Sequence, residues 1–309
     1  MNQPRAFRFM VTVRNAPDAG AWQEKAARLE ALGYDQLNIP DHLASGFAVI
    51  PALTVAAAAT TRLRVSGLVF ANDYRNPVLF AKEIATLDVL SDGRTDVGLG
   101  TGWYEPDYAM MGLPLDPPAT RFARLAEAVP LLKRLWTEER VDHDGTHYQI
   151  RGATVLPRTV QRPHPPIMLG ASRPAMLRLA GRHADILSYV FPSERRGALD
   201  PSEITEAALD ERLELVRAAA GSRYDDITLN LPVDIALTDD AKARYDDVAA
   251  KAGIPAELLR ASPFFVFGSS ETVRERLLTL RERFGATFHR VREEDAERFA
   301  PLVASLRGA

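Results

Sequence analysis

The chain has 309 residues, of which 46% are apolar and 26% charged, so it can bury a large core and does not fit a disordered or fibrous class. Its formal net charge of -3 gives no electrostatic basis for binding nucleic acid or an anionic membrane surface. The absence of cysteine excludes disulfides, thiolate catalysis and cysteine-ligated metal sites. Because we find neither a secretory leader pattern nor about 18 consecutive apolar residues, we expect a cytoplasmic protein.

Strand and helix patterns alternate along the first hundred residues. We predict strands over residues 7–13, in the stretch ending near residue 39, and over residues 63–70 and 94–100, with helices over residues 21–32, 51–60 and 77–90. Pro77 marks the start of the third helix, because proline is tolerated in a first helical turn, and Ser91-Asp92-Gly93 ends it. Residues 63–100 therefore form a strand, helix and strand unit typical of parallel sheets.

The same alternation continues to the end of the chain, with longer connections. Residues 103–119 predict a loop, followed by an amphipathic helix over residues 121–136 and a hairpin over residues 141–150. Further strands are predicted over residues 167–170, 185–190, 227–237 and 264–267 and near Thr287, with helices near residues 174–182, 203–220, 239–251 and 270–284 and a terminal helix from Glu293. Residues 191–201 predict a mobile loop, because they follow a strand where barrel enzymes place substrate lids.

This alternation predicts the fold class. About eight strands that alternate with helices indicate parallel pairing with right-handed crossovers. The simplest arrangement is α/β: a (β/α)8 TIM barrel with insertions after strands, formed as a single domain by residues 1–309. An open, doubly wound sheet is the alternative.

Several candidate site residues follow predicted strands, and residues after barrel strands converge on one face. They are Asp41, His42, Phe70, Asn72, Thr101, Trp103, Ser172 and Arg173. His42 is the best candidate for proton transfer, because imidazole donates or accepts a proton near neutral pH, although a lone histidine is more often structural. Gly170-Ala171-Ser172-Arg173 follows a strand and opens a helix, where backbone N–H groups, a Ser172 cap and the Arg173 charge could bind an anion.

Three segments resemble one family. Residues 75–103, RNPVLFAKEIATLDVLSDGRTDVGLGTGW, resemble the bacterial luciferase-like family of flavin- and deazaflavin-dependent oxidoreductases, above all the branch that uses the deazaflavin coenzyme F420. Residues 165–186, PPIMLGASRPAMLRLAGRHADI, are similar to the family's phosphate-binding strand, loop and helix, and residues 38–42, NIPDH, to its Asp-His pair. The resemblance implies an F420-dependent oxidoreductase that transfers hydride to or from a small organic substrate, and a homodimer.

The resemblance also implies roles for individual residues. Asp41 would contact the cofactor ring, and His42 would lie beside its reacting face as the catalytic residue. The family's non-prolyl cis peptide, a bulge that presses on the ring, would fall at Gly67-Leu68; the alternative is a glycine at a barrel bend. The full cofactor-binding set is Asp41, Gly67, Leu68, Phe70, Gly100, Thr101, Gly102, Trp103, Gly170, Ala171, Ser172 and Arg173.

The chain departs from the family at two places. F420-dependent relatives carry a glutamate acid at the position of Trp103, so its absence argues against sugar-phosphate dehydrogenation and makes Glu105 a nearby acid candidate. Trp103 and Tyr104 could wall the cofactor or substrate, or only cover the barrel mouth. The family's second glycine is missing where Ala171 or Ser172 stands, which leaves the phosphate contacts open.

Other functions and ligands remain as alternatives. One is an FMN-dependent monooxygenase that uses dioxygen and a partner flavin reductase, and another is a flavin-binding protein without turnover. Gly98-x-Gly100-x-Gly102 has the wrong spacing for a dinucleotide fold. We expect no metal site: His143 and His147 have i,i+4 spacing, but Asp144-Gly145 between them indicates a turn.

Overall fold

A computed structural model describes residues 5–190 and 200–307 of the chain. Among these residues the strands are β1 (Arg8–Thr12), β2 (Gln36–Ile39), β3 (Arg64–Ala71), β4 (Thr95–Gly100), β5 (Val141–Asp144), β6 (Gln149–Ala153), β7 (Ile167–Ala171), β8 (Ile186–Tyr189), β9 (Thr228–Leu231), β10 (Asp234–Leu237), β11 (Phe265–Gly268) and β12 (Ala286–Arg292). The predicted loop over residues 191–201 falls mostly outside the described residues.

The helices in the same part of the chain are α1 (Ala19–Ala31), α2 (Val49–Ala58), α3 (Pro77–Leu90), α4 (Glu105–Met110), α5 (Pro118–Thr137), α6 (Pro174–His183), α7 (Glu206–Ala220), α8 (Ala241–Ala252), α9 (Ala256–Ala261), α10 (Ser270–Phe284) and α11 (Ala296–Arg307). Short 3-10 turns cover Asn72–Tyr74, Gly221–Asp226 and Glu293–Asp295. None of these helices combines the length and the apolar character that crossing a membrane requires.

Eight parallel strands form a closed barrel in the order β1-β12-β9-β8-β7-β4-β3-β2. The prediction of an α/β fold with a (β/α)8 TIM barrel is therefore confirmed, and the open doubly wound sheet is wrong. Strands β5 and β6 form a separate antiparallel hairpin, as predicted. Strands β10 and β11 form a second, parallel two-stranded sheet outside the barrel.

Local signals explain the helix ends that were predicted best. Helix α3 begins at Pro77, and the Asn76 side chain before it accepts a hydrogen bond of 2.9 Å from the Val78 N–H. Helix α10 begins after Ser269, whose hydroxyl accepts from the Thr272 N–H at 3.2 Å, and ends at Gly285 in the left-handed conformation. Both predicted ranges match the structure.

The structure differs from the predicted elements in four places. The loop predicted over residues 103–119 contains α4, and α9 was not predicted at all. The single strand predicted over residues 227–237 is two strands, β9 and β10, because Pro232 between them has no N–H to continue the ladder. The strand predicted over residues 264–267 exists as β11 but pairs with β10, so it is not a barrel strand.

The chain divides into two compact units, which we describe separately. One unit comprises Thr12–Ala31 and Asp35–Leu169, and the other comprises Met1–Val11, Leu32–Tyr34 and Gly170–Ala309. We call them the His42 unit and the His289 unit after the histidine of interest in each. The expectation of a single domain over residues 1–309 stays a prediction.

Polar side chains support the base of the strands in the His42 unit. The buried carboxylate of Asp96 on β4 accepts hydrogen bonds from Gln36 Nε2 at 2.6 Å and from Arg64 Nε at 3.0 Å. These partners start the neighbouring strands β2 and β3, so the cluster joins three strands at their amino-terminal halves. Its side chains are committed to one another, which leaves the carboxyl ends of the strands for chemistry.

Candidate active site

Strand β3 contains a bulge that interrupts its pairing with β4. Gly67 pairs with Val97 and Phe70 pairs with Leu99, so a three-residue advance along β3 lies opposite a two-residue advance along β4. The cis peptide bond lies at Leu68-Val69, so the prediction of Gly67-Leu68 was wrong by one residue. Gly67 remains in register and the bulge begins after it; a Cβ on Gly67 would lie 2.6 Å from the Phe70 ring, so the close approach of this ring requires glycine.

The glycines of β4 make room for this bulge. A Cβ on Gly98 would lie 2.2 Å from the Gly67 carbonyl oxygen, and one on Gly100 would lie 2.6 Å from Val69 Cγ2. Leu68 and Val69 are themselves half-buried, in a strand whose inner neighbours are buried. The bulge thus gives β3 a partly open apolar surface, while cofactor contact at Gly67, Leu68 and Gly100 stays a prediction.

His42 follows β2 and is held by a carboxylate that the sequence did not reveal. Its Nδ1 lies 2.8 Å from Oδ2 of Asp107 on α4, with the His42 side chain 24% exposed and that of Asp107 fully buried. An ionised carboxylate only accepts hydrogen bonds, so it places the proton on Nδ1 and leaves Nε2 for proton exchange. This arrangement of a buried acid and an oriented, partly exposed imidazole is suited to proton transfer.

Asp107 is itself fixed by two more donors. The Leu43 N–H donates to its Oδ1 at 3.2 Å, and the Tyr74 hydroxyl donates to its Oδ2 at 3.3 Å. Burial, followed by the charge of Asp107, raises the pKa of Tyr74 well above its usual range, so this phenol stays protonated and keeps donating. Asp107 was missed because residues 103–119 were predicted as a loop; the acidic residues beside Pro106 were the available signal of a helix start.

Asp41, which we predicted to contact the cofactor, forms an ion pair with Arg75. Arg75 Nη1 and Nη2 donate to its two carboxylate oxygens at 2.6 and 3.0 Å, and the Ala71 N–H donates at 3.1 Å. Burial lowers the pKa of Arg75, but the hydrogen bond and charge of Asp41 outweigh it and raise the pKa overall. The pair fixes the start of the loop that carries His42, and direct contact between Asp41 and a cofactor stays a prediction.

The aromatic residues after β4 surround His42. The ring centroids of Trp103 and Tyr104 lie 5.9 and 5.2 Å from that of His42, both edge-on. Phe70 behaves differently, because it is 1% exposed and packs against Phe80 at 5.0 Å. The structure therefore brings Trp103 to His42 and gives Phe70 a packing role, although cofactor contact remains a prediction for both.

A tight turn presents Trp103. Gly102 has a φ of +74°, and a Cβ there would lie 2.1 Å from the Tyr108 hydroxyl, so only glycine fits. Arg121 donates a hydrogen bond to the Gly102 carbonyl, and the Thr101 hydroxyl donates to the same oxygen at 3.2 Å. These contacts give Thr101 and Gly102 a structural role in the turn that does not depend on a ligand. Their predicted cofactor contacts remain predictions.

The predicted anion site lies in the His289 unit. Gly170 and Ala171 end β7, Ser172 follows, and α6 begins at Pro174. The helix cap is Arg173 and not Ser172, because Pro174 occupies the first helical position; the Arg173 side chain makes no capping hydrogen bond. Arg173 is exposed, so its charge is available, and anion binding at these four residues stays a prediction.

The two histidines of the hairpin share one glutamate. His143 Nε2 lies 3.0 Å from Glu127 Oε1, and the His147 backbone N–H donates to Glu127 Oε2 at 3.0 Å. Burial raises the pKa of Glu127, but these hydrogen bonds lower it by more, so that the net shift is downward. Over residues 5–190 and 200–307, no group of three or more His, Cys, Asp or Glu side chains is placed to hold a metal ion.

Comparison with known proteins decides the family. The luciferase-like monooxygenase family model matches residues 7–301. The chain belongs to this family. It is 34% identical, over 222 residues, to an F420-dependent glucose-6-phosphate dehydrogenase from Microbacterium testaceum, and this match covers 68% of the chain and 62% of that relative. The chain thus spans less than two-thirds of that relative's length.

Two further proteins extend the comparison. An FMNH2-dependent dimethylsulfone monooxygenase from Pseudomonas putida is 33% identical over 128 residues, which cover 41% of this chain and 35% of that protein. The solved structure of a coenzyme F420-dependent tetrahydromethanopterin reductase from Methanopyrus kandleri superposes with a TM-score of 0.77. It is 20% identical, with 97% of this chain and 99% of that chain covered, and so supports the barrel fold alone.

Proposed function

We propose that the chain is an oxidoreductase that binds coenzyme F420 and transfers hydride between the deazaflavin C5 and a small organic substrate. The observation that carries this proposal is the His42 and Asp107 pair, in which His42 follows β2, Asp107 lies on α4 and the imidazole is partly exposed. The similarity to F420-dependent glucose-6-phosphate dehydrogenases favours this cofactor. The substrate named in those relatives is not carried over.

The residues of the His42 unit fit a flat ring system. Leu68 and Val69 form a partly open apolar bulge in an otherwise mostly buried strand, a surface against which a ring can pack. When bound, the deazaflavin would supply or accept the hydride. The protein would orient the ring, exclude water with Trp103 and Tyr104, and move a proton at His42 Nε2, while Asp107 holds the opposite nitrogen.

Cofactor titration tests the proposal directly. We expect F420 to bind with a Kd in the micromolar range or better and FMN to bind at least about tenfold more weakly, a difference of about 1.4 kcal/mol. Fluorescence titration of the purified protein with each cofactor measures both constants. Purification with stoichiometric FMN, or no F420 binding, would contradict the proposal.

A matched pair of variants sharpens this titration. Arg173 is the exposed cation at the predicted anion site, and Arg178 is an exposed cation farther along the same helix α6. We expect Arg173→Gln to weaken F420 binding about tenfold, because a charged hydrogen bond is lost, and Arg178→Gln to leave the Kd unchanged. Equal constants for the two variants would remove Arg173 from the site.

The second candidate function is an FMN-dependent monooxygenase that takes reduced flavin from a partner reductase. The similarity to the dimethylsulfone monooxygenase of Pseudomonas putida is the observation in its favour. The longer matches to F420-dependent dehydrogenases favour the first candidate. Oxygen consumption with chemically reduced FMN, compared with reduced F420, separates the two.

We also propose a homodimer formed through α3. Helix α3 exposes Leu79 by 53%, Val89 by 39% and Leu90 by 59%, so it is apolar on its outer side as well as toward the core. A second copy of the chain would cover this face. Light scattering after gel filtration should give a dimer that Leu79→Glu dissociates and the control Leu258→Glu does not; a monomeric wild type at tens of micromolar would contradict it.

The cytoplasmic location also stays a prediction, which cell fractionation tests.

A further inference from the structure

Two Asp-Tyr dipeptides of the His42 unit are joined by reciprocal hydrogen bonds. Asp73-Tyr74 lies in the 3-10 turn after β3, and Asp107-Tyr108 lies on α4. The Tyr74 hydroxyl donates to Asp107 Oδ2 at 3.3 Å. In return, the Tyr108 hydroxyl donates to Asp73 Oδ2 at 3.1 Å. The two tyrosine rings pack edge-on with their centroids 5.4 Å apart, and we call these four residues the Asp-Tyr clamp.

The Asp73 half of the clamp is anchored to the long helix α5. The Asp73 side chain is only 4% exposed, and its Oδ1 lies 3.3 Å from Nε of Arg124 on α5. Arg124 also pairs with Asp116 at 2.5 Å. Burial, followed by the charge of Asp73, raises the pKa of Tyr108 well above its usual range, so this phenol stays protonated and keeps donating. Asp73 therefore lies between the end of β3 and α5, and it accepts a hydrogen bond from α4 at that point.

Helix α4 depends on such contacts because it is short. It has six residues, and a helix of that length is not stable by itself in water. Its placement is therefore set by tertiary contacts, among them those of Tyr108, which is 1% exposed and adjoins Asp107 on the same helical turn. A shift of α4 would move Asp107 as well. Because Asp107 Oδ2 lies 2.8 Å from His42 Nδ1, a displacement of about 1 Å would break that hydrogen bond.

We propose that Asp73 and Tyr108 are positioning residues of the His42 site, and that their hydrogen bond holds α4 where Asp107 orients the imidazole. This inference rests on the proposed function, in which His42 moves the proton. Asp73 acts through Tyr108 and the helix, while Tyr74 closes the clamp from the other side. A change at the Tyr108 hydroxyl should therefore alter which nitrogen of the His42 ring carries the proton.

Long-range ¹H–¹⁵N spectra of the full-length protein test this inference without any substrate, with the His42 signals assigned by their absence from His42→Ala. We expect Tyr108→Phe to lower the ratio of Nδ1-protonated to Nε2-protonated His42 about fivefold, as for the loss of one hydrogen bond. Turnover with F420 should fall by a similar factor, with the F420 Kd unchanged. Tyr34→Phe is the matched control and should leave the ratio unchanged: Tyr34 is 3% exposed, and its hydroxyl donates to the Ala296 carbonyl at 2.9 Å in the His289 unit.

Substitutions of Asp73 separate the hydrogen bond from the charge. Asp73→Asn keeps an oxygen that accepts from Tyr108, so we expect the tautomer ratio to stay within about twofold of the wild type, whereas Asp73→Ala should change it at least as much as Tyr108→Phe. Equal effects of Asp73→Asn and Asp73→Ala would overturn the inference, because the charge alone would then matter.

Two further results would also overturn it. They are an unchanged tautomer ratio in Tyr108→Phe that urea unfolding shows to be folded, and an equal change of the ratio in Tyr34→Phe. If the wild type binds no F420, the proposed function fails. The spectra then still decide the positioning role, because they require neither cofactor nor substrate.

Discussion

Each unit contains a histidine in a barrel strand or just after one, but one histidine is partly exposed and the other is fully buried. His42 follows β2, keeps 24% of its side chain exposed and bonds the buried carboxylate of Asp107. His289 on β12 is fully buried between Phe7 and Phe9, whose ring centroids lie 6.0 and 6.1 Å away. Burial lowers the pKa of His289 to about 4.

The difference shows that a histidine's role depends on what surrounds its two nitrogens. At His42 a carboxylate orients the ring and solvent reaches it, so the ring can exchange protons. At His289 aromatic neighbours replace water and burial disfavours protonation, so the ring stays neutral over the physiological range and acts as a packing group. Four experiments test this contrast, beginning with the largest expected effect.

Removal of the His42 imidazole should give the largest loss. We expect His42→Ala to lower turnover by about 10²–10⁴-fold, because a positioned acid or base contributes that much, while the F420 Kd changes by only a few-fold. The assay uses any substrate that the wild-type protein turns over with F420, with kcat and the cofactor Kd measured for both proteins. His143→Ala is the matched control, since His143 also bonds a carboxylate and is 21% exposed.

Two outcomes would change the interpretation of His42. If turnover stays within about threefold, His42 is a wall residue and the proton comes from Glu105 or ordered water. If cofactor binding collapses together with turnover, His42 holds the ring in place. Either outcome would remove the functional contrast with His289.

The buried histidine should make the fold acid-sensitive. The unfolded chain binds a proton at His289 below about pH 6.5, whereas the folded protein binds it only near pH 4. Stability from this residue is therefore intact above pH 6.5 and lost as pH falls toward 4, by about 3 kcal/mol in total. Urea unfolding of wild type and His289→Leu at pH 7 and pH 4.5 measures it: the variant should lose less stability than the wild type, and equal losses would contradict the assignment.

Replacement of the carboxylate should show how far Asp107 controls His42. Asp107→Asn can donate instead of accepting, so we expect part of the imidazole to move its proton from Nδ1 to Nε2 and turnover to fall about tenfold, about 1.4 kcal/mol. Long-range ¹H–¹⁵N spectra report the tautomer independently of any substrate. An unchanged tautomer with reduced activity would mean that Asp107 only supports the loop through the Leu43 N–H.

Loss of one donor to Asp107 should have the smallest effect. Tyr74→Phe removes the hydroxyl that lies 3.3 Å from Asp107 Oδ2 but keeps the ring that packs edge-on against Tyr108. Because two other groups still bond Asp107, we expect turnover to fall no more than about threefold, in line with one modest hydrogen bond. A loss equal to that of Asp107→Asn would place Tyr74 in the proton path. Thermal unfolding of both variants provides the stability control.

The sequence alone was sufficient for features with local causes. Pro77 marked a helix start, the alternation of strands and helices indicated the barrel as the simplest arrangement, and His42 was identified because it follows a strand. These signals depend on residues within one or two turns of each other, where backbone geometry and capping decide the outcome.

Only the tertiary structure decided which side chains act together. Asp107 meets His42 across 65 positions of the chain, and Arg75 occupies Asp41 across 34. The bulge lies between Gly67 and Phe70, where Gly67 accommodates the Phe70 ring and the glycines of β4 leave room for the bulged backbone. Local propensity carries no information about such partners, because they are selected by packing and by burial of charge after distant segments come together.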